Sequence, residues 1–321
     1  MQYGATPAST VLMPLLTQRR LLIGMTGGTG FVGRELATRL VGAGHTLRIA
    51  SRSAARGEEL RPLSSIEIRV GNVYDPAFLR RCFDGCDVVI HLVGILNESG
   101  HGGAGFRHAH VELTAGVLKA MHDARVGRLL HMSALNADAE RGASHYLRSK
   151  GQAEQLVRSA PALQWTIFRP SVIFGAEDSL TRRFAALLSL TRGVLPLARP
   201  GARFAPVHVG DVAEAFVRAL ANGAAHGSTY ELCGPEVLTL EQLVRLTARA
   251  ARLPCHLIRL PDVIARLQGA IMEFIPGRPF SLDNFRSLLT DSVCREDGCR
   301  RLDIRPVSLE LMAPQWLQPR V

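Results

Sequence analysis

Residues 26–33 read TGGTGFVG, directly after the apolar run LLIGMT and at the start of FVGRELATRLVGAG, whose apolar residues recur at helical spacing. A strand that runs into glycines opening a helix limits the fold more than any other stretch of the chain. Gly27 allows a tight turn, Gly30 lets the backbone approach a pyrophosphate, and Gly33 permits close packing of helix on strand. The helix N-terminus then offers free N–H groups and a partial positive charge to phosphates. Glycines can also serve a turn with no ligand, but this framing by strand and helix favours a dinucleotide.

Beyond that loop, short apolar runs alternate with amphipathic stretches from Arg20 onward. HTLRIAS, IEIRVGN, CDVVIHLVG, GRLLHMSA and QWTIFRPS read as strands two to six, with helices over FRHAHVELTAGVLKAMHDAR and LRSKGQAEQLVRSA. That alternation predicts an α/β fold with a doubly wound parallel sheet of the Rossmann kind. After Phe174 the rhythm changes. PVHVGDVAEAFVRAL returns to the sheet side with Asp211 as a helix cap, STYELCG is a further strand, and the remainder reads as helices with short connections. The expected organisation is a dinucleotide-binding domain over 20–174 and 206–233. A smaller, discontinuous substrate or partner lobe takes 175–205 and 234–321, and residues 1–19 form a flexible extension. A length of 321 residues accommodates both lobes.

The net charge is +10, yet the basic residues are scattered and aromatics are only 6%, which argues against nucleic acid. An anionic cofactor, an acidic partner or an anionic membrane surface suits the charge better. No apolar run is long enough to span a bilayer, and TVLMPLL near the start lacks the flanks of a signal peptide. The chain is therefore expected in the cytoplasm, with peripheral contact at the inner membrane open to it. Cys82, Cys86, Cys233, Cys255, Cys294 and Cys299 show no C-x-x-C spacing and are expected as free, mostly buried thiols. His101, His108 and His110 lie close together without carboxylates at ligand spacing, so no metal is expected.

The end of the second strand selects the cofactor. An acidic residue there would hold the ribose 2′-OH of NAD(H). Instead Ser51 and Arg52 occupy it, with Arg56 one turn beyond, which favours the 2′-phosphate of NADP(H) over NAD(H). Farther on, SHYLRSKGQAE places Tyr146 and Lys150 four apart on one helix face, and Lys150 is one of only two lysines. An ammonium beside a phenol lowers a pKa that starts at about 10. Ser133, at the end of the fifth strand, supplies a hydroxyl that can orient a carbonyl.

TGGTGFVG, HLVG, HMSA, YLRSK and FRPSVIFG, in this order, resemble the extended and atypical branch of the short-chain dehydrogenase/reductase superfamily. HMSALNA, RPSVIFGAED, PVHVGDVAEAF and YELCGPEVLTLEQLV resemble more closely the family of the Rossmann-type alpha-subcomplex subunit nine of respiratory complex I. The likeness runs from about Arg20 to Val293. It implies that Gly27, Gly28, Thr29, Gly30, Phe31 and Val32 hold the pyrophosphate. Asn72 and Val73 would border the adenine, Val93 and Gly94 the ribose, and Pro170, Ser171 and Val172 the nicotinamide. One departure concerns the relay asparagine of related enzymes, which is His110 here in the block HVELT.

Three functions fit these residues. One is an oxidoreductase with Tyr146 as acid/base, Lys150 as its partner and ribose ligand, and Ser133 as orienting hydroxyl; epimerase and dehydratase chemistry uses the same parts. Another is an NADP(H)-bound accessory or assembly factor of complex I, with quinone-related proteins as partners. A third is a regulator that senses the NADP(H) ratio. The small-molecule substrate is not legible.

Overall fold

The computed structural model describes residues 19–98, 100, 102–272 and 280–318. The extension expected over 1–19 lies outside them except for Arg19, which pairs with Asp87 at 2.9 Å. Strands β1 (Leu22–Thr26), β2 (Thr46–Ser51), β3 (Ile66–Val70), β4 (Val88–His91), β5 (Arg128–Met132), β6 (Gln164–Pro170) and β7 (Ser228–Leu232) form one sheet. Its order is β7-β6-β5-β4-β1-β2-β3, and every pairing is parallel. The order reverses between β1 and β4, so the crevice beyond their carboxyl ends is where a ligand can enter an open sheet of this kind. The loop 27–30 and the segment after His91 both leave the sheet at that point.

The central strands explain this arrangement. All five residues of β5 and all four of β4 are buried, because helices cover both faces. On one face Ile23, Met25, Ile90, Leu130 and Phe168 pack under α1 (Phe31–Gly42) and Phe216 of the later helix Val209–Ala221. On the other, Val89, Leu129 and Ile167 pack against α2 (Pro76–Phe83), α3 (Leu113–Asp123) and α4 (His145–Ser159). Each such side chain contributes about 1.5–3 kcal/mol when fully buried. The helix α2 is set by Asp75, whose side chain accepts from Ala77 N, and by Pro76 in its first turn.

Four sequence expectations need correction. The single helix expected over 106–125 is broken. A π-helical segment at Arg107–Glu112 precedes α3, and the extra residue in that turn redirects His110. Asp211 is not a cap. His208 caps the helix Val209–Ala221 through its ring nitrogen on Gly210 N, and Asp211 accepts from Val307 N. The later segments are not helices alone: His256–Leu260 pairs in parallel with Val194–Ala198, and Leu238–Thr239 pairs antiparallel with Arg203–Phe204. These ribbons expose one face, so their apolar signal is thin. Finally, Cys233 and Cys294 form a disulfide between the residue after β7 and the 291–295 segment, whereas Cys82, Cys86, Cys255 and Cys299 are free. A separation of 61 residues hid that pairing.

Candidate active site and cofactor cleft

The phosphate loop is shaped as its glycines predict. Gly27 sits at φ +77°, where a side chain would be strained, and a Cβ there would approach Val93 N at 3.0 Å. A Cβ on Gly33 would lie 2.3 Å from the Gly27 carbonyl, so this helix turn rests on the loop backbone. Gly30 precedes α1 with no side-chain cap, which leaves the N–H groups of the Phe31–Val32–Gly33 turn available to an anion. Arg34 braces the loop by donating to the Thr29 carbonyl at 2.9 Å and pairing with Glu59 and Glu177. A dinucleotide pyrophosphate fits this cradle of backbone donors.

At the end of β2, Ser51 is buried and its hydroxyl donates to the Ser53 carbonyl at 2.9 Å. The expected hydroxyl contact to a 2′-phosphate is thus already used in a local turn. Arg52 is exposed, and no carboxylate stands at this strand end. Asn72 accepts from Tyr74 N at 3.0 Å and orders its own turn, while Val73 is buried beside it. Tyr74 stacks on His108 with ring centroids 3.9 Å apart.

Lys150 lies where the carboxyl ends of β4 and β5 meet α4. It is 3% exposed, and its Nζ donates to the carbonyls of Val93 at 3.3 Å and Met132 at 3.2 Å. The ends of β4 and β5 are thereby tied to α4. Gly94 keeps this region open, since a Cβ there would stand 3.0 Å from Nζ. Ser133 follows Met132 directly. It is buried, and its Oγ has no hydrogen-bond partner among the described residues. Burial pushes Lys150 down to about 8, opposed by the carboxylate of Glu154, and pushes the Tyr146 phenol up to about 12. Desolvation, with no help from the ammonium, sets the Tyr146 value, so the lowering expected from the Tyr–Lys spacing is absent in this arrangement.

Tyr146 packs edge-on against His110 and Phe106 at 5.6 and 5.9 Å between centroids. His110 is a satisfied histidine. Its Nε2 accepts from Ile95 N at 3.0 Å, which leaves the proton on Nδ1 for the Ser149 hydroxyl at 2.8 Å. Ser149 in turn donates to the Tyr146 carbonyl. Burial holds His110 neutral, down to about 2, with Lys150 adding to the effect. His91 spans Thr26 and Thr114 in the same buried polar layer. After β6, the Ser171 hydroxyl donates to the Ser292 carbonyl at 2.7 Å, and the Val172 carbonyl accepts from Val207 N.

Residues 27–222 match the family model described as NAD(P)H-binding. The chain belongs to that family. Within it, the chain is 28% identical over 293 residues to the mitochondrial NADH dehydrogenase [ubiquinone] 1 alpha subcomplex subunit 9 of Arabidopsis thaliana, covering 87% of this chain and 72% of that one. It is 29% identical over 262 residues to a ceramide reductase of Caulobacter vibrioides, covering 81% and 80%. A quinoline-oxide ketoreductase of Stigmatella aurantiaca is 29% identical over 268 residues, covering 78% and 79%. The fold matches the UDP-glucose 4-epimerase of Thermotoga maritima with a TM-score of 0.73 at 16% identity, over 92% and 97% of the chains. The architecture is that of the extended short-chain dehydrogenase/reductases, close to the complex I subunit-nine family. Among the described residues no helix is long and apolar enough to cross a membrane.

Two residues at this site escape a reading of motifs. Glu154 is 1% exposed and forks onto Arg169 at 2.7 and 2.6 Å, fastening α4 to β6. Its signal is its place four residues after Lys150 on the same helix face. Asp283, on the helix Leu282–Ser287, accepts from His145 N and Tyr146 N at the start of α4, and no local signal marks it.

Proposed function

We propose that this protein is an NADP(H)-dependent oxidoreductase that reduces a carbonyl at the Tyr146, Lys150 and Ser133 site. The observation that carries the reading is the Ser133 hydroxyl, buried beside the Lys150 anchor and without a partner among the described residues. A buried serine with only a packing role is ordinarily satisfied by its neighbours. A reduced nicotinamide supplies a hydride when bound. Ser133 orients the substrate oxygen, Tyr146 delivers the proton to it, and Lys150 holds the nicotinamide ribose with the donor capacity left beyond its two carbonyls. Gly27 to Gly33 hold the pyrophosphate, with Asn72 and Val73 at the adenine and Val93 and Gly94 at the ribose. Pro170 to Val172 line the nicotinamide side. The smaller lobe over 175–205 and 234–321 closes the substrate side of the cleft. The test is NADPH oxidation with a panel of ketones, aldehydes and quinones, compared between the native chain and Tyr146→Phe.

Arg52 is proposed as the 2′-phosphate ligand, because Ser51 is occupied and no acidic residue competes at this strand end. Arg52→Glu is expected to weaken NADPH binding about 10- to 100-fold, the worth of one charge-assisted hydrogen bond, with NADH binding little changed. Fluorescence titration of both nucleotides checks it. Equal losses for the two would remove Arg52 from this role.

The pH dependence follows from the two shifts. Reduction needs a protonated phenol and a charged Lys150. Because burial raises Tyr146 to about 12 and lowers Lys150 to about 8, the first loss on raising pH is the Lys150 proton. The rate is expected to stay level up to that pH and fall above it, as read from a kcat/KM profile. A rate that holds level well above pH 9 would contradict Lys150 as the controlling group.

The likeness to the subunit-nine proteins supports a second reading, in which NADP(H) is a redox-inert stabiliser of a respiratory accessory factor. Cofactor that co-purifies and resists oxidation by every carbonyl offered, together with capture of complex I subunits, would favour it.

A further inference from the structure

We infer that Asp283, in the smaller lobe, is a positioning residue that sets the placement of Tyr146 from outside the dinucleotide-binding domain. This inference rests on the carbonyl-reductase reading for its kinetic consequence, but its geometry does not depend on it. The carboxylate is 8% exposed and both of its oxygens are used: Oδ1 accepts from His145 N at 2.7 Å and Oδ2 from Tyr146 N at 3.1 Å. These are orphan donors in the first turn of α4, where the helix has no carbonyl to offer them. Ser144 satisfies the next one, since its Oγ accepts from Leu147 N. Ser287 then donates to Ser144 Oγ at 2.8 Å. Asp283 and Ser287 are four apart on the short helix Leu282–Ser287, so one face of that helix meets the start of α4 with both groups.

The short helix is itself held firmly. Ser281 and Asn284 cap it reciprocally, and Phe285 is buried against Ala198 and Ala265. Behind it, Asn136 donates to the Asp291 carbonyl and Ser171 to the Ser292 carbonyl, which joins the same segment to the loops after β5 and β6. Bringing a carboxylate into this cover costs hydration, and the two N–H groups with the positive end of a 15-residue helix offset it. The local Ser144 cap by itself fixes only the helix end. A cap delivered from the other lobe also fixes where the Tyr146 ring lies relative to the substrate side.

The experiment compares Asp283→Asn, which keeps one acceptor oxygen, with Asp283→Ala, which keeps none, in the full chain. NADPH titration, turnover of phenanthrenequinone with NADPH, and amide hydrogen exchange of the segment around His145 and Tyr146 are measured on each. The expected result for Asp283→Ala is a kcat lowered about 10- to 100-fold, as misplacement of a reacting group gives, with KM and NADPH affinity within about threefold of the native chain. Asp283→Asn should fall between, and exchange at the two amides should quicken in the same order. Unchanged kcat and unchanged exchange in Asp283→Ala would overturn the inference. So would a loss of NADPH binding in parallel with activity, since that marks general unfolding. If the native chain turns over no carbonyl, the reductase reading fails, and the exchange rates still decide whether Asp283 places this helix end.

Discussion

Tyr146→Phe is expected to lower carbonyl reduction by about 100- to 10,000-fold, the range general acid–base catalysis contributes, while leaving NADPH affinity within about twofold. Only a hydroxyl is removed. The ring keeps its packing against His110 and Phe106, and the helix start keeps its Asp283 and Ser144 caps, because those contacts use the backbone of residues 145–147. Stability should therefore move by less than about 0.5 kcal/mol, which thermal unfolding can verify. The contrast with Lys150→Met makes the result interpretable. That change strips the donor from two strand-end carbonyls and is expected to cost both cofactor binding and activity. A Tyr146→Phe protein that still reduces the same substrate at the native rate would leave Tyr146 as a packing residue and move the weight to the redox-inert reading.

Gly33→Val is expected to abolish dinucleotide binding and to lower stability by about 2–4 kcal/mol. Its Cβ would stand 2.3 Å from the Gly27 carbonyl and 2.6 Å from Gly28 backbone atoms. No rotamer relieves an overlap with backbone, so the first turn of α1 must lift from the loop that it covers. The N–H groups proposed to hold the pyrophosphate move with it, and we expect NADPH affinity to drop at least about 100-fold. Gly42, at the other end of the same helix, is the control, because a Cβ there meets nothing within 4 Å. Gly42→Ala should be neutral or stabilising by less than about 1 kcal/mol. Urea denaturation and NADPH titration on both variants separate a steric effect at the loop from a general intolerance of the helix.

The cysteines and the α3 region show how far local patterns reach. FRHAHVELTAGVLKAMHDAR carries helical periodicity, yet the π turn within it depends on what surrounds it. His110 must meet Ile95 N and Ser149, and the backbone takes one extra residue to allow that. Likewise each cysteine of the Cys233–Cys294 pair looks like a buried thiol in its own segment.

By itself the sequence determined the seven parallel strands in outline, the α/β class, the glycine loop, the missing carboxylate after β2 and the shared face of Tyr146 and Lys150. All of these follow from interactions between residues close along the chain: strand and helix periodicity, left-handed glycine backbone, and i to i+4 neighbours. Tertiary structure alone decided the buried carbonyl anchors of Lys150, the raised phenol of Tyr146 and the Asp283 cap that reaches across 137 residues. Burial and hydrogen-bond partners are properties of whatever surface folds against a residue. No pattern near Tyr146 in the chain could announce a carboxylate delivered by a distant helix.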